Sequence, residues 1–181
     1  MKFQTEELLN DLTQRTKQVI ETAGKYRDLD IGQLNFKPAK DRWSILECLE
    51  HLNLYGDFYL PEIEQRILQS KSEPSAEFRS GVIGNYFAKL MQPKPDGTVK
   101  KMKSPKDKTA DVSKLSKATI ERFLKQQDYL LKLLEMARKV DLTKTKTAIS
   151  ISTIVKLRLG DTFRFYTYHI ERHIAQAERL H

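Results

Sequence analysis

Two histidines stand four residues apart in the run His169-Ile170-Glu171-Arg172-His173. On a helix, that spacing places both imidazoles on one face, one above the other. A third histidine, His51, sits two turns inside another helical segment and shares its side with Glu47, Cys48, Leu54 and Tyr55. If the two helices face each other across a core, three neutral imidazoles can converge on one divalent ion. Three protein nitrogens with open positions for water or substrate describe a catalytic metal site rather than a closed structural one. Spacing alone leaves a second reading open, in which the pair lies on a helix surface or at a polar bundle end and His51 is unrelated.

The surrounding residues narrow the chemistry. The run is not HExxH, because Glu171 falls two residues after the first histidine and projects away from the histidine face, so the general base of a metallopeptidase is missing. Glu47 is near enough to His51 to serve as a base or an orienting acceptor, although its position three residues after Ser44 already accounts for it as a capping partner. Cys48 can be read as a fourth ligand or as a small core residue beneath Trp43. Gln176, three residues past His173, either orients a ligand, lines a pocket mouth or is an amide at the core edge. Tyr55 and Tyr166 flank the two ligand faces and are the expected pocket walls, while Phe58, Tyr59, Phe163, Phe165 and Tyr168 read as packing. His181 ends the chain and is expected to fray.

Four segments with apolar residues every three or four positions must carry these groups. The spacing predicts helices over about 6–23, 44–69, 114–138 and 162–180. In the first, Leu8, Leu9, Leu12, Thr16, Val19, Ile20 and Ala23 form the stripe, with Gly24 as the expected C-cap. Ser44-x-x-Glu47 is a capping-box start for the second, Trp43 can staple onto Cys48, and Pro61 is expected to kink the helix. The third carries Ile120, Phe123, Leu124, Gln127, Leu130, Leu131, Leu134 and Ala137. Asp161 or Thr162 is the expected N-cap of the fourth. Residues 29–42 read as a linker. Residues 70–113, with Pro74, Pro93, Pro95 and Pro105, are too long for a hairpin and suit a crossover between helices 2 and 3, with a short amphipathic helix over Val82–Met91. Ala148–Val155 has strand composition, but no partner strand is evident, so it is taken as irregular. The expectation is an all-α four-helix bundle in a single domain spanning 1–181.

Composition excludes several classes. The 181 residues suffice for a core without cross-links, and a single cysteine rules out an intrachain disulfide framework or a cysteine-rich zinc site. Seven glycines with neither GxGxxG nor GxxxxGK[ST] argue against dinucleotide and P-loop chemistry. No apolar run is long enough for a membrane span, and the acidic, amphipathic start lacks a leader's apolar core, so a cytoplasmic protein is expected. The net charge of +8 invites nucleic acid, but the densest patch, six lysines and two aspartates over Lys94–Lys108, falls in a proline-containing loop. Elsewhere the two signs interleave along helices, and no aromatic platform for bases is evident, which disfavours nucleic acid as a partner.

The stretch Trp43-Ser44-Ile45-Leu46-Glu47-Cys48-Leu49-Glu50-His51-Leu52 resembles the "W-S-x-x-E-x-L-x-H-L" entry to the second helix of the DinB/YfiT-like superfamily. His169-Ile170-Glu171-Arg172-His173-Ile174-Ala175-Gln176 is similar to its closing "H-x-x-x-H-x-x-Q" helix. Leu157–Thr162 and Lys101–Pro105 resemble one branch of that superfamily, so the likeness spans nearly the whole chain in order. The resemblance implies an up-down-down-up bundle, often dimeric, with a three-histidine divalent-metal site carried here onto His51, His169 and His173. It further implies an enzyme that joins a small thiol to an electrophile, bacillithiol or mycothiol in characterised relatives. The alternatives are a metal-dependent hydrolase using metal-activated water with Glu47 as base, or a non-catalytic metal- or ligand-binding stress protein that acts through partner contacts. Zinc or nickel is expected first as the ion, then iron, copper or manganese.

Overall fold

Ser44 opens the helix that carries His51. Its hydroxyl accepts the Glu47 amide at 3.2 Å, and the Glu47 carboxylate accepts the Ser44 amide at 2.8 Å. This capping box fixes the start of α3, Ile45–Gln69. A computed structural model describes residues 1–93, 105, 108–111, 113 and 115–180. Three other long helices accompany α3: α1 (Thr5–Lys25), α5 (Lys117–Ala137) and α6 (Leu159–Ala177). Two short helices, α2 (Ile31–Asn35) and α4 (Val82–Met91), lie between α1 and α5. Among the described residues there are also two antiparallel strand pairs: β1 (Lys2–Gln4) with β2 (Glu77–Arg79), and β3 (Lys146–Ile149) with β4 (Ser152–Arg158). Among the described residues, no helix is long and apolar enough to cross a membrane.

α1 and α3 each pack against both α5 and α6, so the four long helices close a ring around the core. Side-chain pairs set their directions. Glu6 at the start of α1 pairs with Arg138 just past α5, and Arg27 beyond α1 pairs with Glu121 near the start of α5, so these two run antiparallel. Glu50 and Asp57 of α3 meet Arg122 and Gln126 of α5 in rising order, so these run parallel. His51 near the start of α3 meets His173 near the end of α6, and Tyr59 further along meets Phe165, so α3 and α6 run antiparallel.

The predicted stripes lie inside. Leu8, Leu9, Leu12, Thr16, Val19 and Ala23 of α1 are buried, as are Ile120, Phe123, Leu124, Gln127, Leu130, Leu134 and Ala137 of α5, with Leu133 rather than Leu131 completing the stripe. Each fully buried Leu or Phe contributes about 1.5–3 kcal/mol through lost water contact. α6 differs from an ordinary bundle helix, being buried without a break from Leu159 to Ile170. α4 explains this, because it lies against α6 on the side that the bundle leaves open.

Several expectations need correction. Ala148–Val155 is not irregular: its partner strand is its immediate neighbour, and the two halves fold back on each other around Ser150-Ile151 with Thr147 opposite Leu157. α6 begins at Leu159, before the expected cap. Asp161 is buried inside the first turn, where its carboxylate accepts from Ser80, from the Gly81 amide at 2.8 Å and from Arg164 at 3.2 Å. Gly24 lies within α1, whose C-cap is Tyr26. α3 continues through Pro61 without interruption. The donor that proline lacks would serve the carbonyl of Asp57, an exposed residue whose carbonyl can turn to water. α5 starts at Lys117 behind a Ser116 cap. The linker of 29–42 contains α2, capped by Asp30 and Gln33. The Lys101–Ser104 stretch, most of the lysine-rich segment, Lys114 and His181 lie outside the described residues.

Candidate metal centre

The antiparallel packing of α3 on α6 brings His51, His169 and His173 together, with ring centroids 4.7–5.1 Å apart. One potential ligand atom from each falls within 4.8 Å of the others, and all three side chains are buried. His51 Nδ1 lies 2.7 Å from the Lys108 carbonyl oxygen. A carbonyl only accepts, so Nδ1 carries the proton and Nε2 presents a lone pair. His173 Nδ1 likewise donates to Gln176 Oε1 at 3.1 Å. Gln176 therefore orients His173 rather than lining the pocket. The Nε2 atoms of His51 and His169 are 3.2 Å apart, while His169 Nδ1 is buried with no hydrogen-bond partner among the described residues. Two nitrogens on one tetrahedral zinc, each about 2.0–2.1 Å from it, stand about 3.3 Å apart. The pair thus already has the spacing of two ligands on one ion, and the residues present fit such an ion.

Electrostatics favour the same state. Burial pushes the His51 imidazole down to about 4, with the Lys108 charge adding to the effect and the Lys108 carbonyl opposing it. Burial first, then the neighbouring His51 and Arg172, lowers His173 to about 3, against a small opposing contribution from Gln176. His169 falls well below the ordinary histidine range, through burial and then through its histidine neighbours and Arg172. Neutral imidazole is the form that ligates a cation.

A cavity of about 250 Å³ opens beside the cluster. Tyr55, Tyr59 and Trp43 wall it from the α3 side, Phe165 and Arg172 from α6, Phe87 and Met91 from α4, and Ile149, Ser150 and Ile151 from the β3–β4 turn. The Tyr55 ring lies 4.9 Å from His51 and 4.5 Å from His169. Tyr166 does not line the cavity. It is fully buried one layer deeper, its ring 5.5 Å from that of Tyr59, and its hydroxyl has no hydrogen-bond partner among the described residues. Glu47 has both oxygens engaged, one by the Ser44 amide and the other by Lys37 at 2.9 Å. Cys48 is fully buried in the apolar core, where burial pushes its thiol up to about 12, and it stands outside the three-histidine group. Trp43 borders the cluster, its ring 4.7 Å from His51 and stacked on His173 at 5.5 Å. Glu171 faces away, paired with Arg15 at 3.0 Å.

The DinB superfamily family model matches residues 5–177, from the first turn of α1 to the end of α6. The chain belongs to the DinB superfamily. No curated protein and no solved structure matches it at a significant level. In this DinB protein, helical periodicity marked α4 as an element but not as a cavity wall, and it carried no signal for the β3–β4 turn. Strand composition over 148–155 and the amphipathic 82–91 segment marked where those walls begin. Neither feature marked Ser150 or Phe87 as cavity residues.

Proposed function

We propose that this DinB protein is a metal-dependent transferase that joins a low-molecular-weight thiol to an electrophile. The single observation behind this reading is a buried, neutral three-imidazole cluster facing an apolar, aromatic cavity whose described lining includes no carboxylate. His51, His169 and His173 would hold one divalent ion, zinc or nickel ahead of iron, copper or manganese. Such an ion, when bound, supplies the acidity that makes a thiol a thiolate at neutral pH. Lys108 and Gln176 keep two of the rings in the tautomer that directs Nε2 inward. Tyr55, Tyr59, Phe165 and Trp43 exclude water and offer flat faces to an electrophile. The thiol proton leaves to solvent, the sulfur forms a bond to the electrophilic carbon, and the carbon–leaving-group bond breaks with its electron pair departing on the leaving group. No protein nucleophile is needed, which suits a chain whose one cysteine is buried in the core. That buried free cysteine also suits the reducing cytoplasm.

Hydrolysis by an activated water calls for a nearby base. Glu47 is the sequence candidate, and its two oxygens serve the helix cap and Lys37 instead. A conjugation screen tests the proposal. Metal-loaded protein is incubated with bacillithiol, mycothiol, glutathione or coenzyme A and a chromogenic electrophile, and the S-conjugate is measured. The expected result is a conjugate whose formation is lost in H51A. Equal rates with wild type and H51A would remove the proposal, and loss of ester hydrolysis in a metal-replete E47Q protein would favour the hydrolase.

A further inference from the structure

Tyr59 and Ser150 meet in the cavity wall, and neither belongs to the histidine cluster. The Ser150 amide, in the β3–β4 turn, donates to the Tyr59 hydroxyl oxygen at 3.3 Å, and the two hydroxyl oxygens lie 3.4 Å apart. Two hydroxyls carry two protons, and the contact between them uses one. A donor is therefore left for an occupant of the cavity. Burial raises the Tyr59 phenol above its ordinary range, against the opposing hydrogen bonds from Ser150, so its proton stays in place at neutral pH. The rings of the wall place this pair away from the histidines. Tyr59 is eight residues past His51 on α3, about 12 Å by helix rise. One ring from each helix fills the interval. On α3, the Tyr55 ring is 4.5 Å from His169 and 6.2 Å from Tyr59, lying nearly parallel to the latter. On α6, the Phe165 ring stacks on His169 at 5.9 Å and stands 5.7 Å from Tyr59. The wall thus runs from imidazoles through flat apolar rings to two hydroxyls.

We infer that Tyr59 and Ser150 are specificity residues for the electrophile, which is an aromatic ring with its reacting carbon at one end and a carbonyl-type oxygen at the other. The inference rests on the thiol-transfer reading above and names the class of its second substrate. The Tyr59 oxygen already accepts the Ser150 amide, so the pair favours a ligand atom that accepts. In an apolar wall, a donor facing a hydrocarbon goes unanswered, whereas a ligand oxygen satisfies it. Tyr55 and Phe165 offer their faces to the ring between the two ends. The cavity, at about 250 Å³, is smaller than the roughly 300–1,000 Å³ usual for drug-sized ligands, which limits the occupant to a compact ring. In this pose the thiol proton leaves to solvent, sulfur bonds to the ring-borne carbon, and the leaving group departs with the electron pair of its bond. Tyr59 and Ser150 hold the far oxygen and transfer no proton.

Equilibrium dialysis of zinc-loaded full-length protein tests the pair without any thiol. Acetophenone is compared with α-methylstyrene, in which a methylene of similar size replaces the carbonyl oxygen. Y59F and S150A are each expected to weaken acetophenone binding about 3–10-fold, the usual effect of one neutral hydrogen bond, and to leave α-methylstyrene within about twofold of wild type. S150A keeps the backbone amide that Tyr59 accepts, so it decides alone should Y59F fail to fold. Unchanged acetophenone affinity in either folded variant, or equal losses for the two ligands, overturns the inference. A second arm follows S-conjugate formation from 4-acetylbenzyl chloride and 4-isopropenylbenzyl chloride with bacillithiol, mycothiol, glutathione or coenzyme A. S150A is expected to raise KM for the acetyl compound about 3–10-fold at unchanged kcat and to leave KM for the isopropenyl compound at the wild-type value. The same KM for the acetyl compound in S150A and wild type overturns the inference while leaving thiol transfer intact. If wild type conjugates neither chloride with any of the four thiols, the thiol-transfer reading fails, and dialysis still judges the hydroxyl pair.

Discussion

Trp43 stacks on His173, with ring planes 22° apart, and also touches the ring of His51, which makes the one tryptophan of this chain a direct neighbour of two of the three imidazoles. Its emission should therefore report the site. Titration with nickel or cobalt is expected to quench tryptophan fluorescence to an endpoint at one equivalent. In H169A, whose lost ring packs on His51, Tyr55, Phe165 and His173, the quench should vanish over that concentration range. Unchanged emission at full nickel occupancy would place the ion elsewhere.

Gln176 and Glu47 should separate cleanly. Q176L removes the acceptor that fixes His173 and is expected to weaken metal binding by about 10–100-fold, the usual effect of losing a partner behind a ligand, as read by competition with a chelator. E47A removes a helix cap and is expected to cost about 1–2 kcal/mol of stability in denaturant melts. Its metal affinity should match wild type; a large loss would restore Glu47 to the site.

The cap, the histidine pair and the apolar stripes were legible in the sequence because each is local. Ser44 and Glu47 are three apart, His169 and His173 four apart, and helix geometry converts those numbers into contacts. The meeting of His51 with the pair was legible only as a possibility of two facing helices and through family resemblance, since 118 residues separate His51 from His169. Tyr166 shows where periodicity stops. It lies on the right helix, yet the inward approach of Tyr59 buries it behind the cavity wall. The β3–β4 hairpin was missed for a different reason: a strand that pairs with its own continuation gives no distant partner to find. Gly160-Asp161 is a helix-start pattern that points to a cap, whereas the role of Asp161 depends on Ser80 and Gly81 from the crossover.

That role makes Asp161 a stability determinant. Asp161 and Arg164 form a buried pair tied to Ser80, Gly81 and Asn85 at the start of α4. D161A leaves a buried guanidinium without its carboxylate and is expected to cost about 3–5 kcal/mol in urea denaturation. A loss below about 1 kcal/mol would show that the network contributes little.

Gly84 allows the same junction to close. A Cβ at this position would run into the Asp161 side chain. G84A is expected to push α4 outward and lower stability by about 1–3 kcal/mol. Because Phe87 and Met91 ride on α4 in the cavity wall, it should also weaken binding of thiol ligands while leaving metal stoichiometry at the wild-type value. Intact ligand affinity in the variant would show that α4 does not shape the cavity.

The most direct measurement is elemental analysis of protein purified without chelator and without a nickel resin, run beside H51A. One divalent ion per chain in wild type, reduced to a small fraction in H51A, is the predicted result. Wild-type protein that holds no divalent ion and takes none up from zinc, nickel, cobalt or manganese solutions would contradict the account, leaving three buried imidazoles as packing in a helical core.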